Sequence, residues 1–159
     1  MRIVVNSSPL IAFAILQKLN LLPILFTDIL IPQAVYDEVT EHGKPHAESL
    51  RVFAQGKVVS AQNQMAVQLL TQDVDRGESE VIVLALENGI TDVLIDDAKG
   101  RRFASLNGVN PIGTVGILLR AKQQGHIELI KPLLDLLIAN RIRIGADLYT
   151  RALIRAVEN

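Results

Sequence analysis

The chain of 159 residues contains no cysteine and no tryptophan. Without cysteine, disulfide staples and zinc–thiolate centres are excluded, and a cytoplasmic location is expected. Aromatic residues make up only 4% of the chain, so reading of single-stranded nucleic acid by base stacking is not indicated. No apolar run is long enough to span a bilayer, and Asn6, Ser7, Ser8 and Pro9 interrupt the first one, unlike a signal peptide. No membrane association is therefore expected. Strong net charge is missing too: 16 Lys and Arg stand against 17 Asp and Glu. The chain has no nucleophile elbow, and its histidines have no evident Ser partner, which argues against serine-hydrolase chemistry. His42 and His46 have a spacing that could bind metal on a helix, but Gly43 and Pro45 disfavour a helix there and read as a solvated loop.

What is present is aliphatic. Hydrophobic residues make up 49% of the sequence, mostly Leu, Ile, Val and Ala. The length fits one domain over residues 1–159 with a core that needs no crosslinks. Short β-branched runs predict strands over residues 2–6, 28–31, 57–60, 93–95 and 109–112. Helical patterns fall between them. The first starts at a Ser8 cap with Pro9 at its first position, and others cover residues 21–26, 33–41, 46–55, 65–70, 77–88, 98–106, 115–124, 132–139 and 146–157. Gly89 and Gly125 are placed to stop two of them. Strands alternating with helices predict a three-layer α/β fold, a central parallel sheet of about four or five strands with helices on both faces.

In such sheets ligands bind outside the carboxyl ends of the strands. That rule selects Asn6 to Ser8 after the first strand and Asp96-Asp97 after the strand VLI. Glu38 and Glu80 lie on neighbouring helices. Gathered carboxylates suit hard cations such as Mg²⁺ or Mn²⁺, which can align a phosphodiester and an attacking water. Each residue also has an ordinary structural explanation. Asp96 and Asp97 could cap a helix, Glu80 could complement a helix dipole, Glu38 could be a surface acid, and Asn6 a turn residue.

The segments VVNSSPLIAFAIL, ILIPQAVYDEV, GESEVIVLALENG, VLIDDAKGRRFA and NPIGTVGILLRAKQQG follow one another over nearly the whole chain. In this order they resemble the PIN-domain superfamily, and more narrowly the small prokaryotic PIN-like proteins related to VapC-type toxins. The resemblance implies an endoribonuclease dependent on Mg²⁺ or Mn²⁺. It assigns the family's acids to Glu38, Glu80 and Asp97, with Asp96 beside the last, and a ligand-orienting hydroxyl to Ser7. The family's first acid is Asp, and here Asn6 stands in its place. An amide oxygen can touch a metal but brings no charge, so metal affinity should fall.

The expected function is thus metal-assisted hydrolysis of RNA, with Glu38, Glu80 and Asp97 as catalytic acids. Asn6 and Asp96 complete the metal ligands, while Ser7 and Thr114 orient them. If the protein is a toxin, a small antitoxin would be its partner, and the resemblance also suggests a homodimer. The alternative is a catalytically silent PIN-like module that binds RNA or a protein. A response-regulator receiver is a weaker rival, because its acidic pair follows the first strand and not a late one.

Charge is unevenly spread. Residues 1–97 hold 6 Lys and Arg against 13 Asp and Glu, whereas residues 98–159 hold 10 against 4. Lys99, Arg101 and Arg102 directly follow the acidic pair, where they could meet RNA phosphates or simply form a solvated helix face. IGTVG, residues 112–116, lacks the marks of a phosphate-binding loop and reads as a tight strand-to-helix connection, with Thr114 capping the helix or facing the acids.

Overall fold

A computed structural model describes residues 1–158. Asn159, part of the expected single domain, lies outside the described residues. Five strands, β1 (Arg2–Val5), β2 (Asp28–Pro32), β3 (Val58–Val59), β4 (Asp92–Leu94) and β5 (Asn110–Ile112), form one parallel sheet in the order β3-β2-β1-β4-β5. The expected architecture is therefore present. β1 is central, and Ile3, Val4 and Val5 are all fully buried. Because successive side chains of a strand point to opposite faces, that burial requires cover on both faces.

Helices α1 (Ser7–Ile15), α2 (Leu21–Leu25), α3 (Gln33–Val39), α4 (Ala47–Phe53) and α5 (Gln64–Leu70) occupy the first half of the chain. They are followed by α6 (Arg76–Glu87), α7 (Ala98–Leu106), α8 (Thr114–Gln123), α9 (Lys131–Ala139) and α10 (Ala146–Arg155). α6 packs on β1, β2 and β4 and is buried from Glu78 to Ala85. With few aromatics available, Phe13 and Phe26 are the largest buried side chains, and aliphatic residues fill the remaining core. No helix among the described residues is long and apolar enough to cross a membrane.

The first helix begins earlier than its sequence suggests. Asn6 is its N-cap residue, with extended backbone, and Pro9 sits at the third helical position in place of the first. The cost is small, because the opening N–H groups of a helix have no intrahelical partner and the proline removes one of these. Thr114 is likewise the first residue of α8, after Gly113 as N-cap residue.

Topology concentrates the site. The chain builds outward from β1 through β2 to β3, then returns to the other side of β1 with β4 and continues to β5. The direction of winding reverses between β1 and β4, and a crevice opens at the carboxyl ends of those two strands. Asn6 N donates to Leu94 O at 3.0 Å and extends the pairing by one step. This bond ties the end of β1 to the residue two before Asp96.

The C-terminus is fastened by a single carboxylate. Glu158 accepts from Ile130 N and Lys131 N, each at 2.9 Å, and from Lys122 Nζ at 2.8 Å. It thereby satisfies open N–H groups at the start of α9, whose own N-cap residue, Ile130, offers no side-chain cap.

Candidate metal centre

The start of α6 carries two acids. Asp75 is its N-cap residue, accepting from Glu78 N at 2.8 Å, while Glu78 accepts in return from Asp75 N at 3.3 Å. This reciprocal capping box fixes both carboxyls. Glu78 lies only 6% exposed, and its carboxyl adjoins Gly100, whose N–H donates to Asp97. Burial first, then the charges of Asp75 and Asp97, push the Glu78 carboxyl up to about 7; the bond from the Asp75 backbone works against the shift.

Asp97 is held from its own side. It is the N-cap residue of α7 and accepts from Gly100 N at 3.0 Å. The absence of a side chain at Gly100 is required here, since a Cβ would stand 3.0 Å from Glu78 Cδ and 3.1 Å from Ile95 Cγ2. Asn6 approaches from β1. A Cβ on Gly77 would meet Asn6 Oδ1 at 3.3 Å and Asp75 Oδ1 at 3.5 Å, so the amide oxygen faces the same helix start. Ser7 is buried at the first position of α1.

Other residues singled out from the sequence lie around this centre in different roles. Glu80 turns away from Asp97: Oε1 accepts from Ala34 N at 3.1 Å and Oε2 from Arg76 Nε at 3.2 Å. It shares a cleft with exposed Glu38 and with Asp75. Asp96 braces the turn into α8, accepting from Thr114 N at 2.7 Å and from the Thr114 hydroxyl at 2.6 Å. Thr114 thus faces an acid. Arg101 donates to Ile95 O at 3.1 Å, while Lys99 and Arg102 are exposed on α7.

Glu78 and Asp75 were not singled out from the sequence. Residues two apart on a helix point about 200° apart, so Glu78 and Glu80 cannot both face the strand ends. The Asp75 to Glu78 spacing of a capping box was the available signal, because it places Glu78 at the third helical position.

A family model described as DUF3368: PIN domain matches residues 2–158. The chain belongs to this PIN-domain family. No curated protein matches it.

PIN domains generally use divalent metals. The oxygen atoms at the start of α6 and α7 are of the right kind to meet one: carboxylates of Glu78, Asp75 and Asp97, with an amide oxygen from Asn6. Crowded like charges are what a divalent cation offsets, and Mg²⁺ is commonly held by one or two carboxylates with waters and substrate phosphate completing its shell. Among the described residues, no group of three or more His, Cys, Asp or Glu is gathered closely enough to enclose an ion. The chemistry of the donors fits such a cation, in an open site.

Proposed function

We propose that this PIN domain is an endoribonuclease that uses Mg²⁺ or Mn²⁺, with the cation held chiefly by Glu78 and Asp97. The observation that carries this reading is that both carboxyls lie against Gly100, just after β4 at the switch point of the sheet. Asn6 and Asp75 would assist from either side, and Ser7 would help shape the site near β1. Glu38 and Glu80 would border the adjoining acidic cleft, Glu80 mainly by anchoring α3. Asp96 would act through Thr114, setting the turn that walls the crevice.

When bound, the cation would neutralise charge on a phosphodiester and lower the cost of forming a hydroxide nucleophile from water. The chain's own groups would position it: Glu78 and Asp97 are held by Asp75 N and Gly100 N, so their carboxylates would meet the cation without rearranging. As the toxin of a toxin–antitoxin pair, the protein would be restrained by a small antitoxin laid over this crevice.

A second reading is a PIN module that binds RNA or a protein partner without cleaving. It is favoured by the neutral Asn6 and by the open arrangement of the acids. Labelled RNA incubated with Mn²⁺, Mg²⁺ or EDTA separates the two. Metal-dependent cleavage that disappears in Glu78→Gln and Asp97→Asn supports the nuclease. Equal residual cleavage in the parent and both variants would leave only the silent module.

A further inference from the structure

The acidic centre is flanked by surfaces of opposite character. On one side, a cleft of about 440 Å³ carries Asp37, Glu38, Asp75 and Glu80 against Arg76 alone. On the other, a groove starts beside Asp96 and Asp97 in a section of about 550 Å³ lined by Arg141 and Arg143. It continues past Arg101 and Arg151 through a section that shares Asp96, Val115 and Leu148 with the first. A third section, reached by way of Ile112, Gly116 and Leu119, is lined by Arg120 and Arg155. Most of the Lys and Arg residues of the basic second part of the sequence thus line one path that ends at the acids, Lys99, Arg102 and Lys131 excepted.

Three features of these arginines point to an anionic occupant. Arg141 has φ +67°, a left-handed conformation that favours glycine, at the end of α9. Its N–H bonds Ile138 O and the next N–H bonds Leu137 O, the pattern in which glycine usually closes a helix. An arginine kept at such a position, with its side chain lining the groove, suggests a role beyond closing the helix. Arg120 lines the third section with its guanidinium 5.7 Å from the centroid of the Phe26 ring, and its Nη1 has no hydrogen-bond partner. Arg151 pairs with Asp147 at 3.1 Å, but both side chains are largely exposed, so the pair is weak and easily exchanged for a phosphate.

The occupant is limited further by size and lining. Each section has the volume of a small-ligand pocket, which suits one strand and not a duplex. No aromatic residue lines any of the three among the described residues, so bases would find no stacking platform. Contacts would go to phosphates, which position a strand without reading its sequence.

Resting on the ribonuclease reading above, we propose that this groove carries a single strand of RNA away from the acidic centre. Arg141 and Arg143 hold the phosphates nearest the acids, Arg151, Arg120 and Arg155 hold those beyond, and base identity matters little.

The test is binding of fluorescent oligouridine and of a mixed-sequence single-stranded RNA, measured by anisotropy in EDTA over a range of salt. The proteins are the parent, Arg141→Gly, Arg143→Gln, Arg155→Gln, and Asp37→Asn from the acidic cleft. Each arginine variant should weaken binding roughly fivefold or more, and its log–log salt slope should be shallower by about 0.7 for each phosphate it no longer holds. Asp37→Asn should bind like the parent, and the two RNAs should bind the parent within about twofold of each other. Arg141→Gly should melt no lower than the parent, which separates weakened binding from impaired folding. If the parent binds RNA and the arginine variants bind equally well, the groove assignment falls and the ribonuclease reading stands. Unchanged RNA affinity together with a loss of dimer in light scattering would make the groove a contact between copies and overturn the proposal. A parent that neither binds nor cleaves any RNA would remove both.

Discussion

Glu78 and Asp97 bring their carboxyls to the two sides of Gly100 although they start from different helices, Glu78 from the third position of α6 and Asp97 from the N-cap of α7. Each is fixed by backbone groups before any ligand arrives: Glu78 through Asp75 N, Asp97 through Gly100 N. Two acids that would repel when ionised are therefore held together by the capping geometry of their helices.

Gly100 makes that approach possible. Gly100→Ala would drive a methyl group against Glu78 Cδ and Ile95 Cγ2, both on buried side chains. Overpacking of this kind costs about 1–3 kcal/mol. The expected result is a lower thermal midpoint together with weakened Mn²⁺ binding, measured by thermal melts with and without the metal.

Glu80 and Glu78 should separate cleanly. The Glu80 carboxylate satisfies Ala34 N at the start of α3 and pairs with Arg76. Glu80→Ala leaves a partly buried N–H without a partner and should cost about 1–3 kcal/mol. Its melt should still shift upward on adding Mn²⁺, whereas the melt of Glu78→Gln should not.

The strands and most helices were legible because their signals are local. The apolar run of β1, the glycine stops at Gly89 and Gly125, and the acidic pair after β4 each act within a few residues. The placement of the acids was legible only in part. Asn6 and Asp97 follow from the strand-end rule, but choosing between Glu78 and Glu80 requires the rotation of α6 about its axis. Packing of Val81, Ile82, Leu84 and Ala85 on the sheet decides that rotation. The arginine groove was legible only as a basic surplus after residue 97 that begins with Arg101 beside the acidic pair; Arg120, Arg141 and Arg155 come from separate segments that only the tertiary fold places along it.

The Glu158 side chain has a pH signature of its own. Burial pushes the Glu158 carboxyl up, but Lys122 and the N–H groups of Ile130 and Lys131 outweigh it and hold the group below its ordinary 4.5. Ionised Glu158 therefore favours the folded chain above about pH 4.5, and that contribution is lost as pH falls through the lowered value. The difference in thermal midpoint between the parent and Glu158→Gln should be constant above about pH 5 and shrink below it. A difference that grew on acidification would contradict the latch.

The most direct measurement of the central claim is calorimetric titration of Mn²⁺ into the parent, Glu78→Gln, Asp97→Asn and Glu80→Gln at neutral pH. Heat of binding is expected in the parent and in Glu80→Gln, with affinity reduced at least tenfold in Glu78→Gln and Asp97→Asn. Binding that survives both of those substitutions but disappears in Glu80→Gln would contradict it and move the metal to the neighbouring cleft.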